Sequence, residues 1–199
     1  MTNHAKLDRV IKIQLPIFLL AAIIAGTVTY FGIAPIRRGI GYSPEQPIPF
    51  SHQLHAGKMQ TDCRYCHIEV ERSRHATIPA AEICMNCHRI ARTDRPAIKL
   101  LTDYFNRGES IPWKRLHRLP DFVYFSHGAH VNNGIDCSRC HGPVFEMERL
   151  ERQAPLTMGW CLDCHRQGVE AINHPAAAEA TVGEDGKIYG PESCGACHR

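Results

Sequence analysis

Five times, this chain sets two cysteines three residues apart and follows them directly with a histidine. In order the motifs are Cys63/Cys66/His67, Cys84/Cys87/His88, Cys137/Cys140/His141, Cys161/Cys164/His165 and Cys194/Cys197/His198. They use every one of the 10 cysteines, so no thiol remains for a disulfide. With 13 histidines in 199 residues, five such coincidences arise by chance roughly once in a million. Cys-x-x-Cys-His is the attachment signature of c-type haem. Zinc ribbons take four ligands from paired Cys/His motifs and have no need of a histidine directly after each pair. An oxidised disulfide scaffold would not fix that histidine either. The spacing has a geometric reason: on a helical turn, residues i, i+3 and i+4 share one face. Both thiols then reach the vinyl groups of a porphyrin while the histidine reaches its iron from the same side. The chain is therefore expected to carry five covalently bound haem c groups.

Two of the motifs are preceded by a second pattern. Phe50-Ser51-His52-Gln53-Leu54-His55 leads into the first motif, and Phe125-Ser126-His127-Gly128-Ala129-His130 leads into the third. The copies are offset by 75 residues at the Phe and both His, and by 74 at the first Cys. This predicts an internal repeat, residues 50–91 and 125–166, with the fifth motif at 194–198 behind it. Paired histidines three apart lie on one helical face, and their recurrence marks His52, His55, His127 and His130 as distal ligands opposite His67, His88, His141, His165 and His198. One distal position is left over. Met158, His117 and His75 compete for it; a thioether from Met158 would raise that haem's potential, although Met is also a common soft filler against a flat apolar ring. His174 reads as structural or exposed, and His4 precedes the hydrophobic run.

That run, residues 13–34, carries no charge over 22 residues and would span about 33 Å as a helix, enough to cross a bilayer. It reads as an uncleaved anchor with residues 1–12 in the cytoplasm. Residues 35–49, with Pro44, Pro47 and Pro49, read as an extended linker. Residues 50–199 form the expected periplasmic haem domain, because covalent attachment takes place outside the cytoplasm. Within it, Pro79 predicts a helix over 80–89. Asp94 is expected to cap the next helix, which has Pro96 early and Gly108 at its end. Its stripe of Ile98, Leu101, Tyr104 and Phe105 reads as packing between the two repeats. Residues 121–126 look strand-like or extended, and Asp185-Gly186 is a turn signal.

The formal charge of +3 is misleading. Each ferric haem adds two propionates to a core of about +1, which turns the total to about −2 and removes any case for nucleic-acid binding. Arginine outnumbers lysine 17 to 6, as expected where a guanidinium fork must match planar propionates. A body of about 160 residues has a radius of gyration near 15 Å, so five macrocycles in it are close neighbours. The expected fold is mostly irregular with short α-helices, the porphyrins replacing much of an ordinary core, behind one N-terminal transmembrane helix.

Phe-Ser-His-x-x-His ahead of Cys-x-x-Cys-His resembles the class III multihaem cytochromes c. One membrane helix, two such units and a fifth terminal motif resemble more closely the pentahaem cytochrome subunits of alternative complex III, a quinol:electron acceptor oxidoreductase. That resemblance is sharpest over residues 50–67, 119–141 and 155–166. It implies mostly bis-His haems with one His/Met haem, which favours Met158. It also implies iron–sulfur and polytopic membrane partner subunits, and delivery of electrons to a monohaem cytochrome c or a haem-copper oxidase. The expected location is the bacterial inner membrane, single-pass, and the subunit would have no substrate site of its own. The competing reading is a self-contained, membrane-anchored quinol dehydrogenase feeding a periplasmic reductase. About 28 residues between Ala34 and Cys63 argue against direct quinol access to the first haem. A catalytic multihaem reductase would need an open iron position, which the supply of distal candidates closes.

Overall fold

The hydrophobic run is helical from before its expected start to beyond its expected end. A π turn, Val10–Gln14, leads directly into α1, Leu15–Arg37. The computed structural model describes residues 7–37, 39–170 and 182–198. Leu7–Gly32 is long and apolar enough to cross a membrane, and none of that stretch is buried inside the protein. Pro16 directly follows the π turn, inside a continuous run of helical backbone from Leu7, where the altered bonding accommodates its missing N–H. The chain divides into two compact units, Met1–Gly41 and Tyr42–Arg199.

Residues expected to form a linker are divided between these units. Helix α1 continues to Arg37, while the stretch from Tyr42 already belongs to the second unit. Ser43 Oγ donates to the Leu150 carbonyl at 3.0 Å. The Gln46 amide bridges both main-chain groups of Lys114 at 2.9 and 2.8 Å. Ile48 is buried.

The second unit is built from short helices: α2 Cys63–Cys66, α3 Ala81–His88, α4 Pro96–Arg107, α5 His127–Val131, α6 Ser138–His141, α7 Met158–Gln167 and α8 Cys194–Cys197. Among the described residues there is no strand, only isolated bridges; Val123 pairs with His198, and Ile188 with both Val169 and Val182. In the stretch 121–126, Asp121 and Phe122 thus form a turn, and Val123 bridges to His198 without building a strand. Asp94 does not cap α4. Arg95 occupies the cap with extended backbone and no side-chain bond, because Pro96 at the first helical position forces its predecessor out of the helical region. Gly108 ends α4 in the left-handed conformation, φ 64°.

The polypeptide core is small. Ile48, Ala81, Met85, Leu101 and Ile111 form one buried cluster, with Ile98, Tyr104, Phe105 and Trp113 packed against it. Helix α4, which follows the first repeat, therefore packs on α3 of that repeat, in a cluster with no residue of the second repeat. Among the described residues no side chain is completely buried. Apolar side chains instead lie exposed at the motif edges, including Ile68, Ile90 and Phe122.

The repeat is visible in the backbone itself. Asp62 and its counterpart Asp136, each directly before the first cysteine, accept from the main-chain N–H two residues on, at 2.8 and 2.7 Å. Gln60 and Gly134, each three residues before that cysteine, both have positive φ, 54° and 73°. The one-residue difference between the offsets also has a structural form. In the second repeat the His-x-x-His stretch is the α-helical α5; in the first it is a π turn, Gln53–Lys58. A π turn accommodates one extra residue without moving what flanks it.

The two repeats clasp each other reciprocally. Gln53 N–H donates to the Met147 carbonyl at 2.9 Å, and its counterpart Gly128 N–H donates to the Ser73 carbonyl at 3.1 Å. Gly57 lies against the Phe145 carbonyl, and its counterpart Asn132 donates from Nδ2 to the Glu71 carbonyl at 3.1 Å. The histidine segment of each repeat is thereby backed by the loop after the first motif of the other, a pseudo-twofold arrangement.

Candidate functional site

Four of the five motifs put their histidine where the other ring nitrogen is already committed. Nδ1 of His67 donates to the Thr77 carbonyl at 2.6 Å, that of His88 to Ala91 at 3.0 Å, that of His165 to Pro191 at 2.7 Å and that of His198 to Phe122 at 3.2 Å. Three of the four distal candidates repeat the device: His55 donates to Ser51 at 2.9 Å, His130 to Ser126 at 2.8 Å and His127 to Arg74 at 2.8 Å, whereas Nδ1 of His52 is buried without a partner. A carbonyl can only accept, so Nδ1 carries the proton and Nε2 is left as a bare donor atom for a metal.

The rings also face one another in pairs. His55 and His88 have ring centres 6.2 Å apart, His130 and His165 6.1 Å, and His127 and His141 6.3 Å with planes only 12° apart. Two imidazoles that each hold one metal from opposite sides, at about 2 Å per bond, have ring centres about 6 Å apart. The second histidine of each His-x-x-His thus faces the later motif of its own repeat. The first belongs with the nearer motif: His127 faces His141, and His67 heads the charged neighbours of His52. Phe50 and Phe125 hold these histidines in the same way, with ring centres 4.4 Å from His55 and from His130.

Electrostatics keeps the inner imidazoles neutral, the form that binds metal. Burial pushes His52 down to about 4, with His67 and His55 adding to it. Burial and the adjacent His117, His127, His67 and His52 push His141 down to about 3. His130 is lowered by burial as well, against the opposing pull of its bond to Ser126.

The three contenders for the remaining distal position are dispersed. His117 is half-buried and packs edge-on against His141 with ring centres 4.5 Å apart, too close for an iron between them. Its Nε2 is buried without a partner, and burial with Arg152 nearby holds it down to about 4. His75 is exposed, next to Arg74, whose guanidinium lies 4.3 Å over the Tyr124 ring. Met158 is 63% exposed at the start of α7, which Thr157 caps, one turn ahead of Cys161. His198 stacks on Phe122 at 5.8 Å, and among the described residues no second imidazole is in ring contact with it. His4 and His174 lie outside the described residues.

The residues fit a porphyrin better than a zinc cage. Among the described residues no three His, Cys, Asp or Glu side chains converge on one point. The donors come in facing pairs, and the thiols sit one helical turn apart beside exposed apolar side chains. Two features carried no sequence signal as ligand supports. The loop residues Thr77, Ala91, Pro191 and Phe122 act only through main-chain carbonyls. Gly190, whose Cβ would overlap the His165 ring, is a loop glycine four residues before Cys194.

Two similarities to known proteins agree with this geometry. Residues 123–199 match the family described as cytochrome c7 and related cytochromes c. A 98-residue stretch is 34% identical to the multihaem cytochrome c subunit of menaquinone reductase from Nitratidesulfovibrio vulgaris strain Hildenborough. The match takes in 49% of this chain and 46% of that protein, so the chain spans about half the length of the curated relative it matches.

Proposed function

We propose that this chain, a multihaem c-type cytochrome, is the electron-relay subunit of a quinone-linked membrane complex. The observation that supports the reading is the pairing of imidazoles at a spacing that would take an iron between them, His55 with His88, His130 with His165 and His127 with His141. Haem bound in such sites takes and gives single electrons and has no free position for a substrate. The chain's own residues hold the imidazoles through main-chain carbonyls, keep them neutral by burial, and tether five groups within one small unit.

The leading form of the proposal places α1 in a bacterial inner membrane, with the five-haem unit on the periplasmic side. Electrons pass from a quinol-oxidising assembly of iron–sulfur and polytopic subunits, of the alternative complex III type, to a monohaem cytochrome c or a haem-copper oxidase. A second reading reverses the direction. The similarity to a subunit of a menaquinone reductase supports electron flow from a periplasmic donor into menaquinone.

Purification in mild detergent followed by mass spectrometry tests the subunit reading. Co-purifying polytopic and iron–sulfur proteins are expected. A lone chain that oxidises quinol unaided would replace this proposal with the self-contained dehydrogenase. Reduction of the purified complex by quinol, against reduction by ferrous cytochrome c, separates the two directions.

A further inference from the structure

The pseudo-twofold clasp does more than hold the repeats together; it fixes which attachment motifs are neighbours. The loop directly after the first motif backs the His127 segment and the loop directly after the third backs the His52 segment, so the two counterpart motifs adjoin across the clasp, and Cys63 and Cys137 shift each other's thiol in opposite directions. Within the first repeat, Cys66 has Cys87 and Cys84 as its neighbours in the second motif. Asn86 Nδ2 donates to the Tyr65 hydroxyl at 3.0 Å, tying the helices of those two motifs together. The second repeat copies this: His127 and His130, on one helix, face His141 of the third motif and His165 of the fourth, and Cys164 and Cys161 help burial to push the Cys140 thiol up.

The fifth motif has no counterpart in the repeat and lies against the second repeat, where His198 Nδ1 donates to the Phe122 carbonyl at 3.2 Å and Tyr124 N–H to that of Cys197 at 2.7 Å. Burial and then the nearby Cys197 push the Cys161 thiol up. The segment leading into the fifth motif supplies the Pro191 carbonyl to His165 at 2.7 Å, and Glu192 pairs with Arg166 at 2.7 Å.

From these contacts we infer that the five attachment sites form one unbranched series in the order second, first, third, fourth, fifth. Its ends are the Cys84–His88 site and the Cys194–His198 site, and its central link is the Cys63/Cys137 junction on the pseudo-twofold axis. Sequence order and path order therefore differ at the start: the first motif is interior, and the second is a terminus. Electron entry and exit belong to the two ends. The inference rests on reading the chain as an electron relay, but the order itself is a property of the isolated chain.

The test removes one site at a time from the full, haem-loaded chain by replacing both cysteines of a motif with alanine. Each four-haem protein is followed by potentiometric titration with EPR at each poise, which resolves individual ferric haems. Loss of an end site, C84A/C87A or C194A/C197A, is expected to change the potential and spin coupling of one remaining haem most strongly. Loss of the first site, C63A/C66A, should change two: those of the second and third motifs. A C194A/C197A protein in which two haems respond equally would overturn the series, as would a C63A/C66A protein in which the fourth-motif haem responds most. Because a missing haem can prevent folding, His55→Met and His52→Met serve as second variants. Both keep all five haems attached and raise one potential each. His55→Met should perturb one neighbouring haem and His52→Met two; equal counts would refute the order. Neither readout involves a partner protein, so a failed subunit reading and a failed order are told apart.

Discussion

His55 and His88 stand opposite each other with ring centres 6.2 Å apart and planes inclined at 63°, though 33 positions separate them in the chain. Each is held through Nδ1 by a carbonyl of its own segment, Ser51 and Ala91. His55→Ala is expected to leave all five haems attached and to open a single axial position. One high-spin ferric signal by EPR, and carbon monoxide binding to about one haem in five by difference spectroscopy, are the expected results. A protein that stays entirely low-spin would show that His55 is no ligand.

The reciprocal clasp leaves no room for a side chain at two glycines. A Cβ on Gly128 would lie 2.8 Å from the Glu71 carbonyl oxygen, and one on Gly57 would overlap that of Phe145. Both obstacles are main chain and cannot swing aside. Gly57→Ala and Gly128→Ala should each cost about 1–3 kcal/mol, read as a lowered urea midpoint of the holoprotein. Gly195, with nothing within 4 Å of the same position, supplies the control: Gly195→Ala should stay within about 0.5 kcal/mol of the parent.

Gly190→Ala acts on a ligand rather than on the clasp. The added methyl would occupy the place of the His165 ring, which Pro191 holds from the neighbouring residue. The expected outcome is a shifted potential and an altered low-spin g-tensor at one haem, with five haems still attached by mass. Unchanged EPR at every haem would mean that the 190–192 segment does not position His165.

The fifth distal ligand is decided by comparing three substitutions. Met158→Ala is expected to lower the highest of the five midpoint potentials, since a thioether axial ligand raises potential over imidazole. His75→Ala should leave all five where they are. His117→Ala should disturb only the haem held by His141, against whose ring it packs. Unaltered potentials and spectra in Met158→Ala would take Met158 out of contention.

The motifs made the attachment chemistry readable from the sequence because covalent tethering demands fixed residues at fixed spacing. The helix over 80–89 was legible for a similar reason, since Pro79 and the motif together define Ala81–His88. Asp94 misled because its capping propensity is local, while Pro96 dictates the backbone of Arg95. The offset of 75 against 74 was visible as a number, but its meaning as a π turn at Gln53–Lys58 was not. Residue type hardly distinguishes that turn from an α turn. The clasp was hidden for a deeper reason: Met147, Ser73, Phe145 and Glu71 contribute carbonyl oxygens, which every residue possesses. Only the tight fit at Gly57 and Gly128 left a mark in the sequence.

The clasp also sets a timetable for making the protein. A ribosome delivers His52 to His88 well before Phe145 and Met147 exist, so the first repeat emerges without the loop that backs its histidine segment. The second repeat, in turn, finds Ser73 and Glu71 already waiting when His127 and Asn132 arrive. Maturation is therefore asymmetric although the finished halves are alike. The early half stays open at its histidine segment until the late half closes over it. A nascent chain stopped before residue 145 should accordingly be degraded, whereas one stopped just after the fourth motif should survive with four haems.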